Sequence, residues 1–230
     1  MKAYLLKEYG SWSVLVVAFT AGLLVSRGFA VEAVPVFIAL GLLVNSKQAF
    51  MLWTRRTPGT GLPIVFLAQL ATAAVILLSV FHGQIALLLP LLVLPAAYLV
   101  MNRIAGEHHI LTEVLGFGLL SLAAPIAKFT VTGVLDYTLF AGTTIYFIAG
   151  VFKVRVQLRK RAVDRIMSVI SIAGGVLAYR AVNLPVIILA PLIDNLIFSL
   201  YPYPVTLKST GWIEVGKSVL FLVLLPLSYR

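Results

Sequence analysis

Between its charged residues this 230-residue chain is a succession of apolar runs, each about long enough to cross a bilayer. The runs fall at residues 11–28, 31–54, 62–81, 84–102, 111–127, 132–153, 165–180, 184–200 and 212–228. Each is roughly 16 to 24 residues long, close to the ~20 that cover a ~30 Å hydrocarbon core. A chain that is 61% hydrophobic, with a mean hydropathy of +1.04, has too much apolar surface to hide in a soluble core of this size. The expectation is an all-α integral membrane protein, a nine-helix bundle forming a single domain over residues 1–230. No polar stretch is long enough to serve as a linker, and the first run leads straight into a second, which does not read as a cleaved signal peptide.

Threading nine spans through a membrane sorts the cations. Of the 18 Lys and Arg residues, 14 fall on the side of the N-terminus, and only Arg27, Lys128, Arg180 and Arg230 fall on the other. Short cytoplasmic loops carry the excess of positive charge, so the N-terminus is expected inside and the C-terminus outside. The formal charge of +10 then reflects topology and attraction to anionic lipid headgroups, not nucleic acid. The expected location is the cell membrane, as a multi-pass protein with membrane lipids as its first partners. The absence of cysteine excludes disulfides, a thiolate nucleophile and a thiolate-bound metal.

Polar residues gather at the cytoplasmic ends of these spans. Asn45, Gln48 and Arg55 share one helical stripe at the end of the second span, before Pro58, Gly59 and Gly61 turn the chain. They read either as interhelical hydrogen-bonding and interface anchors or as one wall of a pocket. Arg103, Glu107, His109 and Glu113 crowd the fourth-to-fifth connection, where His109 and Glu113 have the spacing to pair across one helical turn. Glu113 lies so near hydrocarbon that it needs a cation or a polar cavity, and Arg103 or Lys153 is nearest in depth. Thr143, Tyr146, Gly150 and Lys153 follow one face of the sixth span, and Arg155, Arg159, Lys160, Arg161 and Arg165 follow. That basic segment attracts anionic lipid whatever else it does. Asp194 and Asn195 lie near the cytoplasmic end of the eighth span. Glu214 and Lys217, three residues apart in the ninth, read as a self-neutralising pair.

The opening LLKEYGSWSVLVVAFTAGLL, with Glu8, Gly10 and Trp12 but Tyr9 where His is usual, resembles that of YwiC-like membrane proteins. The likeness continues through Asn102, Arg103, the run from Glu113 to Pro125, and GTTIYFIAGVFKVRVQLRK. It covers most of the chain and implies architecture, not chemistry. A more distant resemblance is to UbiA-type prenyltransferases, which implies nine helices around a cytoplasm-facing pocket. In that family two carboxylate-rich elements hold Mg²⁺ on a prenyl diphosphate, the metal neutralising the leaving group. This chain has Asn45-Ser46-Lys47-Gln48 at the first element, and Lys153, Arg155, Arg159 and Lys160 at the second. Mg²⁺ takes oxygen ligands, usually carboxylates, and a cationic cluster repels it. Mg²⁺-dependent prenyl transfer is therefore not expected.

Arg and Lys bind anionic headgroups directly. One expectation is a UbiA-like pocket for an anionic amphiphile (lipid, prenyl or quinone-type), its head near Arg55, Arg103, Lys153 and Arg155. Glu113 or Glu107 would be the acid or base and Tyr146 a hydroxyl donor. Arg103, Glu113, Tyr146 and Lys153 would then line one cavity, with Asn45, Gln48 and Asp194 beside them. The competing reading is a non-catalytic accessory or assembly subunit of a membrane complex, such as a respiratory one, docking a partner through its basic loop. No cofactor is expected. A bis-His haem needs two histidines at similar depth on facing helices; His82 lies at one end of its span, and His108 and His109 at the opposite surface.

Overall fold

Hydrocarbon offers no partners to a backbone amide, so a chain this apolar must close its hydrogen bonds within each segment. The computed structural model describes residues 9–54 and 61–229, and every regular element among them is helical. The α-helices are α1 (Tyr9–Ser26), α2 (Ala33–Thr54), α3 (Leu62–Phe81), α4 (Ile85–Leu88), α5 (Val93–Ala105) and α6 (Ile110–Ser121). They continue as α7 (Ala123–Thr132), α8 (Tyr137–Arg159), α9 (Ala162–Ala181), α10 (Ile193–Leu200) and α11 (Leu207–Ser228). Turns of 3-10 helix at Leu89–Leu92 and Val186–Leu192 lead into α5 and α10. Among the described residues, eight stretches are long and apolar enough to cross a membrane: α1, α2, α3, α8, α9, α11, the run from Ile85 to Ala105 and the run from Ile110 to Thr132. The chain is an all-α, multi-pass membrane protein.

The interruptions have local causes. Pro90 sits in the 3-10 turn between α4 and α5. Pro125 cannot donate to the carbonyl of Ser121 and crowds it, and the chain breaks between α6 and α7 at that point. Two expected spans end later than their charges suggest. The fifth is expected to stop at residue 127, but α7 passes Lys128 and runs to Thr132, where Gly133 adopts a left-handed conformation with φ of 69°. Lys128 pairs with Asp136 at 2.5 Å, which removes the cost of passing it. The sixth is expected to stop at 153, yet α8 continues to Arg159 because Lys153 and Arg155 are both paired with carboxylates. Lys160, with φ of 53°, closes α8.

Short connections make successive spans antiparallel. One end of the bundle, called here the basic end, carries Lys47, Arg103, Arg159, Lys160, Arg161 and Arg165. The far end carries Arg27, Lys128 and Arg180. The α10 segment runs between them, because Leu184 shares a far-end cavity with Tyr229 while Leu200 shares a basic-end groove with Arg165.

Helix α1 is the spine. It packs most closely against α7 and also touches α2, α6, α8 and α11. Leu15, Ala18, Phe19 and Ala21 are buried against Ala123, Ala124 and Ala127. Gly22 permits this approach: a Cβ there would run into the Ala124 carbonyl oxygen and sit 2.8 Å from the Cβ of Ala127. Small residues at such a crossing are the usual means by which membrane helices gain van der Waals contact. Gly22→Ala is expected to destabilise the detergent-solubilised protein by about 1–3 kcal/mol through overpacking. Gly10→Ala, with nothing within 4 Å of the added carbon, should leave the melting temperature unchanged. Thermal unfolding of the two variants side by side provides the check.

Candidate functional site

The most buried charge of the described chain is on α8. Lys153 is 1% exposed, and an ammonium at such a position must be paired. Its Nζ donates to Asp194 of α10 and, at 2.9 Å, to Glu214 Oε1 of α11. Lys217, one turn along α11, donates to the same Glu214 oxygen at 2.7 Å, lies 3.8 Å from Asp194, and donates to the Asn195 side-chain oxygen. Asn195 is fully buried and donates its amide to the Ala149 carbonyl of α8 at 3.1 Å. Two cations and two carboxylates from three helices thus form one neutral network. It has an open side: the Asp194 and Glu214 side chains are 29% and 32% exposed, and the Tyr203 hydroxyl donates to Asp194 at 3.2 Å. Burial, with the Asp194 charge and hydrogen bond, raises the Tyr203 pKa and keeps its proton in place.

Two residues along α8 the side chain points to nearly the opposite face, since each residue turns the helix by about 100°. Arg155 therefore faces α6. Its Nε donates to Glu113 Oε2 at 2.6 Å and its terminal nitrogen to the His108 carbonyl at 3.0 Å. Glu113 has found its cation, but the partner is Arg155 and neither Arg103 nor Lys153. His109 does not pair with Glu113; its ring nitrogen caps α6 by accepting from the Leu111 amide at 3.3 Å. A further ion pair, Lys47 to Glu107 at 3.3 Å, ties α2 to the turn before α6.

The single cavity expected around Arg103, Glu113, Tyr146 and Lys153 is thus two ion-pair networks on opposite faces of α8. Lys153 and Asp194 belong to the first, Glu113 and Arg155 to the second, while Tyr146 stacks on Phe221 with ring centroids 4.0 Å apart. Asn45 is buried and Gln48 partly buried on α2, and Arg103 is exposed at the end of α5. Arg55 lies outside the described residues. Glu214 and Lys217 do neutralise each other, and they also belong to the Lys153 network. The signal for them was arithmetic: the chain has only eight Asp and Glu residues, and a lysine within an apolar span must claim one of them. No group of three or more His, Cys, Asp or Glu side chains suited to a metal occurs among the described residues.

Two concavities flank these networks. At the far end a cavity of about 720 Å³ is lined by Lys128, Asp136, Asn183, Leu184 and Tyr229, among others. Asp136 caps α8 by accepting from the Leu139 amide at 2.9 Å, and it also accepts from Lys128 and, at 2.6 Å, from the Tyr229 hydroxyl. Burial disfavours the Asp136 charge, but these hydrogen bonds outweigh it and hold the carboxyl below the usual carboxylate range. Burial and the bond to Asp136 push the Tyr229 hydroxyl up. At the basic end a groove of about 300 Å³ runs between α9 and α10, lined by Arg165, Ile166, Val169, Ile170, Ser199 and Leu200. The Arg165 Nε is buried there without a hydrogen-bond partner. Compared with family models, curated proteins and solved structures, the chain finds no match.

Two outcomes are expected. Lys153→Ala should cost up to about 3–5 kcal/mol, because it breaks a network centred on a fully buried ammonium and leaves two partly exposed carboxylates to share Lys217. Glu113→Gln should cost about 1–2 kcal/mol, since an amide oxygen still accepts from Arg155. Equilibrium unfolding in mild detergent distinguishes them. Because the folded Asp136 pKa is depressed, its stabilisation is complete above the unfolded carboxylate value (~3.9) and is lost as pH falls through the lower folded value. Melting temperatures from pH 6 to pH 2.5 should therefore fall less steeply for Asp136→Asn than for the parent.

Proposed function

We propose that the protein is a nine-crossing component of the cell membrane, with its basic end in the cytoplasm, that binds an anionic amphiphile on its inner-leaflet face. The ninth crossing is the 15-residue stretch Val186–Leu200. With ~2.0 Å per 3-10 residue and ~1.5 Å per α residue it measures on the order of 26 Å, near the hydrocarbon thickness. Its course from the far-end cavity to the basic-end groove supports that reading, and the excess of Lys and Arg at the basic end supports the orientation.

The ligand's head belongs at Arg165. Lys153 and Arg155 each hold a carboxylate already, so an anion approaching them meets neutral networks. Arg165 differs: its Nε is buried without a partner at the top of a groove whose walls, Ile166, Ile170 and Leu200, are exposed and apolar. Exposed Arg159, Lys160 and Arg161 lie one turn beyond. A guanidinium above an apolar groove, at the depth of the headgroups, suits a phosphate-bearing amphiphile with its tail along α9 and α10. The unpartnered Arg165 nitrogen is the observation that carries this proposal.

Mass spectrometry of lipid retained after mild extraction is expected to show anionic phospholipid favoured over zwitterionic lipid. Arg165→Ala should abolish that preference, and an unchanged preference would remove the site. Orientation is checked with single cysteines at Gly83 and Arg161 in this cysteine-free chain: an impermeant thiol reagent added to intact cells should label the first position only.

A further inference from the structure

The far-end cavity lies where several helix ends meet, and backbone bonds fix the residues that line it. Asp136 caps α8 through the Leu139 amide at 2.9 Å. Tyr229 follows α11, its backbone N–H donating to the Leu225 carbonyl at 2.8 Å, and its hydroxyl ties that helix to Asp136 at 2.6 Å. Asn183 follows α9 with φ of 58°, a conformation asparagine adopts more readily than most residues. Its backbone N–H donates to the Arg180 carbonyl at 3.1 Å. Lys128 comes from α7, reaches Asp136 at 2.5 Å and stands 5.0 Å from the centre of the Tyr229 ring. The space left between these groups is about 720 Å³, within the ~300–1,000 Å³ of small-molecule sites.

Charge and hydrogen-bonding capacity decide what such a space can hold. Lys128 and Asp136 neutralise each other within the lining, so an anion gains no more there than at the paired Lys153. A cation fares no better, because Asp136 already accepts from Lys128, Tyr229 and the Leu139 amide. An ionised carboxylate has about four acceptor positions, which leaves it roughly one. An apolar guest is disfavoured as well. Thr138, Asn183 and Ser228 also line the cavity, and their side chains make no hydrogen bond among the described residues. Each of these three side chains both donates and accepts, and Lys128 keeps ammonium hydrogens beyond the one given to Asp136. A hydroxyl, which donates and accepts at one oxygen, matches that mixture. Leu184, Leu227 and the Tyr229 ring supply apolar wall for the C–H faces of a ring. We infer that the far-end cavity binds a neutral, hydroxyl-rich ligand of the sugar class, either a free solute or the headgroup of a glycolipid in the adjoining leaflet.

The cavity lies at the opposite end from Arg165, so it stands or falls separately from the amphiphile site. The test uses the full chain in phosphatidylcholine nanodiscs, because sugar-based detergents would occupy the cavity. Maltose in solution is followed by saturation-transfer NMR, and diglucosyl diacylglycerol in the disc is counted by native mass spectrometry. Binding of either probe supports the site and identifies its source: maltose alone points to a free solute, the glycolipid alone to the leaflet. Asn183→Gly keeps the left-handed backbone, removes the side-chain amide, and should weaken binding about 3- to 10-fold. Thr138→Val keeps the side-chain shape without the hydroxyl and should have a similar effect, a second reading if the first variant fails to fold. Glu32→Gln, an exposed change at the same end, should match the parent. Binding of neither probe overturns the inference, as does unchanged binding in folded Asn183→Gly and Thr138→Val proteins. Displacement of maltose by succinate overturns it too, since the cavity would then favour a charge that the Lys128–Asp136 pair does not complement.

Discussion

An ammonium group inside a membrane bundle is tolerated only when carboxylates come to it, and Lys153 makes that demand on much of this fold. The two carboxylates reach it from different helices, so α10 and α11 must both dock against α8 before any of the three is stable in hydrocarbon. Asn195 fastens the same junction to the α8 backbone, and Lys217 balances the second carboxylate. Removing a carboxylate leaves the fully buried Lys153 ammonium short of a partner, at a depth where little can substitute. The network therefore sets the depth of α10 and α11 relative to α8 more sharply than apolar packing, which tolerates sliding.

Pairing also decides what the basic residues can do. A cation held by a fixed carboxylate is a structural element, and an external anion must displace that carboxylate to reach it. Lys153 and Arg155 are of this kind. Arg165 is not, because its buried Nε has no hydrogen-bond partner and its side chain lines an open groove. Counting positive charge along the sequence does not separate these cases; partner geometry does.

The membrane class, the positions of most spans and the gathering of polar side chains at one end were legible in the sequence, because each follows from hydropathy and charge alone. So was the need of Glu113 for a cation. Its partner was not, since the choice among Arg103, Lys153 and Arg155 depends on the rotation of α8 about its axis, and one residue of rotation moves a side chain by about 100°. The joining of Glu214 and Lys217 to Lys153 was hidden for a related reason. Their spacing of three residues is satisfied by a local pair, and nothing local reveals that the same oxygen also serves a lysine 61 residues away. The far-end cavity draws on four separate chain segments and has no sequence motif.

The 3-10 segment before α10 gives this arrangement a mechanical property. Seven residues wound at ~2.0 Å rise are longer by roughly 3.5 Å than the same seven wound as α-helix. Pro191 lies within the segment and resists the tighter pitch by crowding the carbonyl four residues before it. The segment begins beside the far-end cavity and ends one residue pair before Asp194 and Asn195. Its pitch therefore sets where α10 meets α8: the same residues wound as α-helix would leave the Asp194 carboxylate more than a hydrogen bond's length from Lys153. The distance between the cavity at one surface and the charge network near the other is thus spanned by a rod whose length is set by its helical pitch.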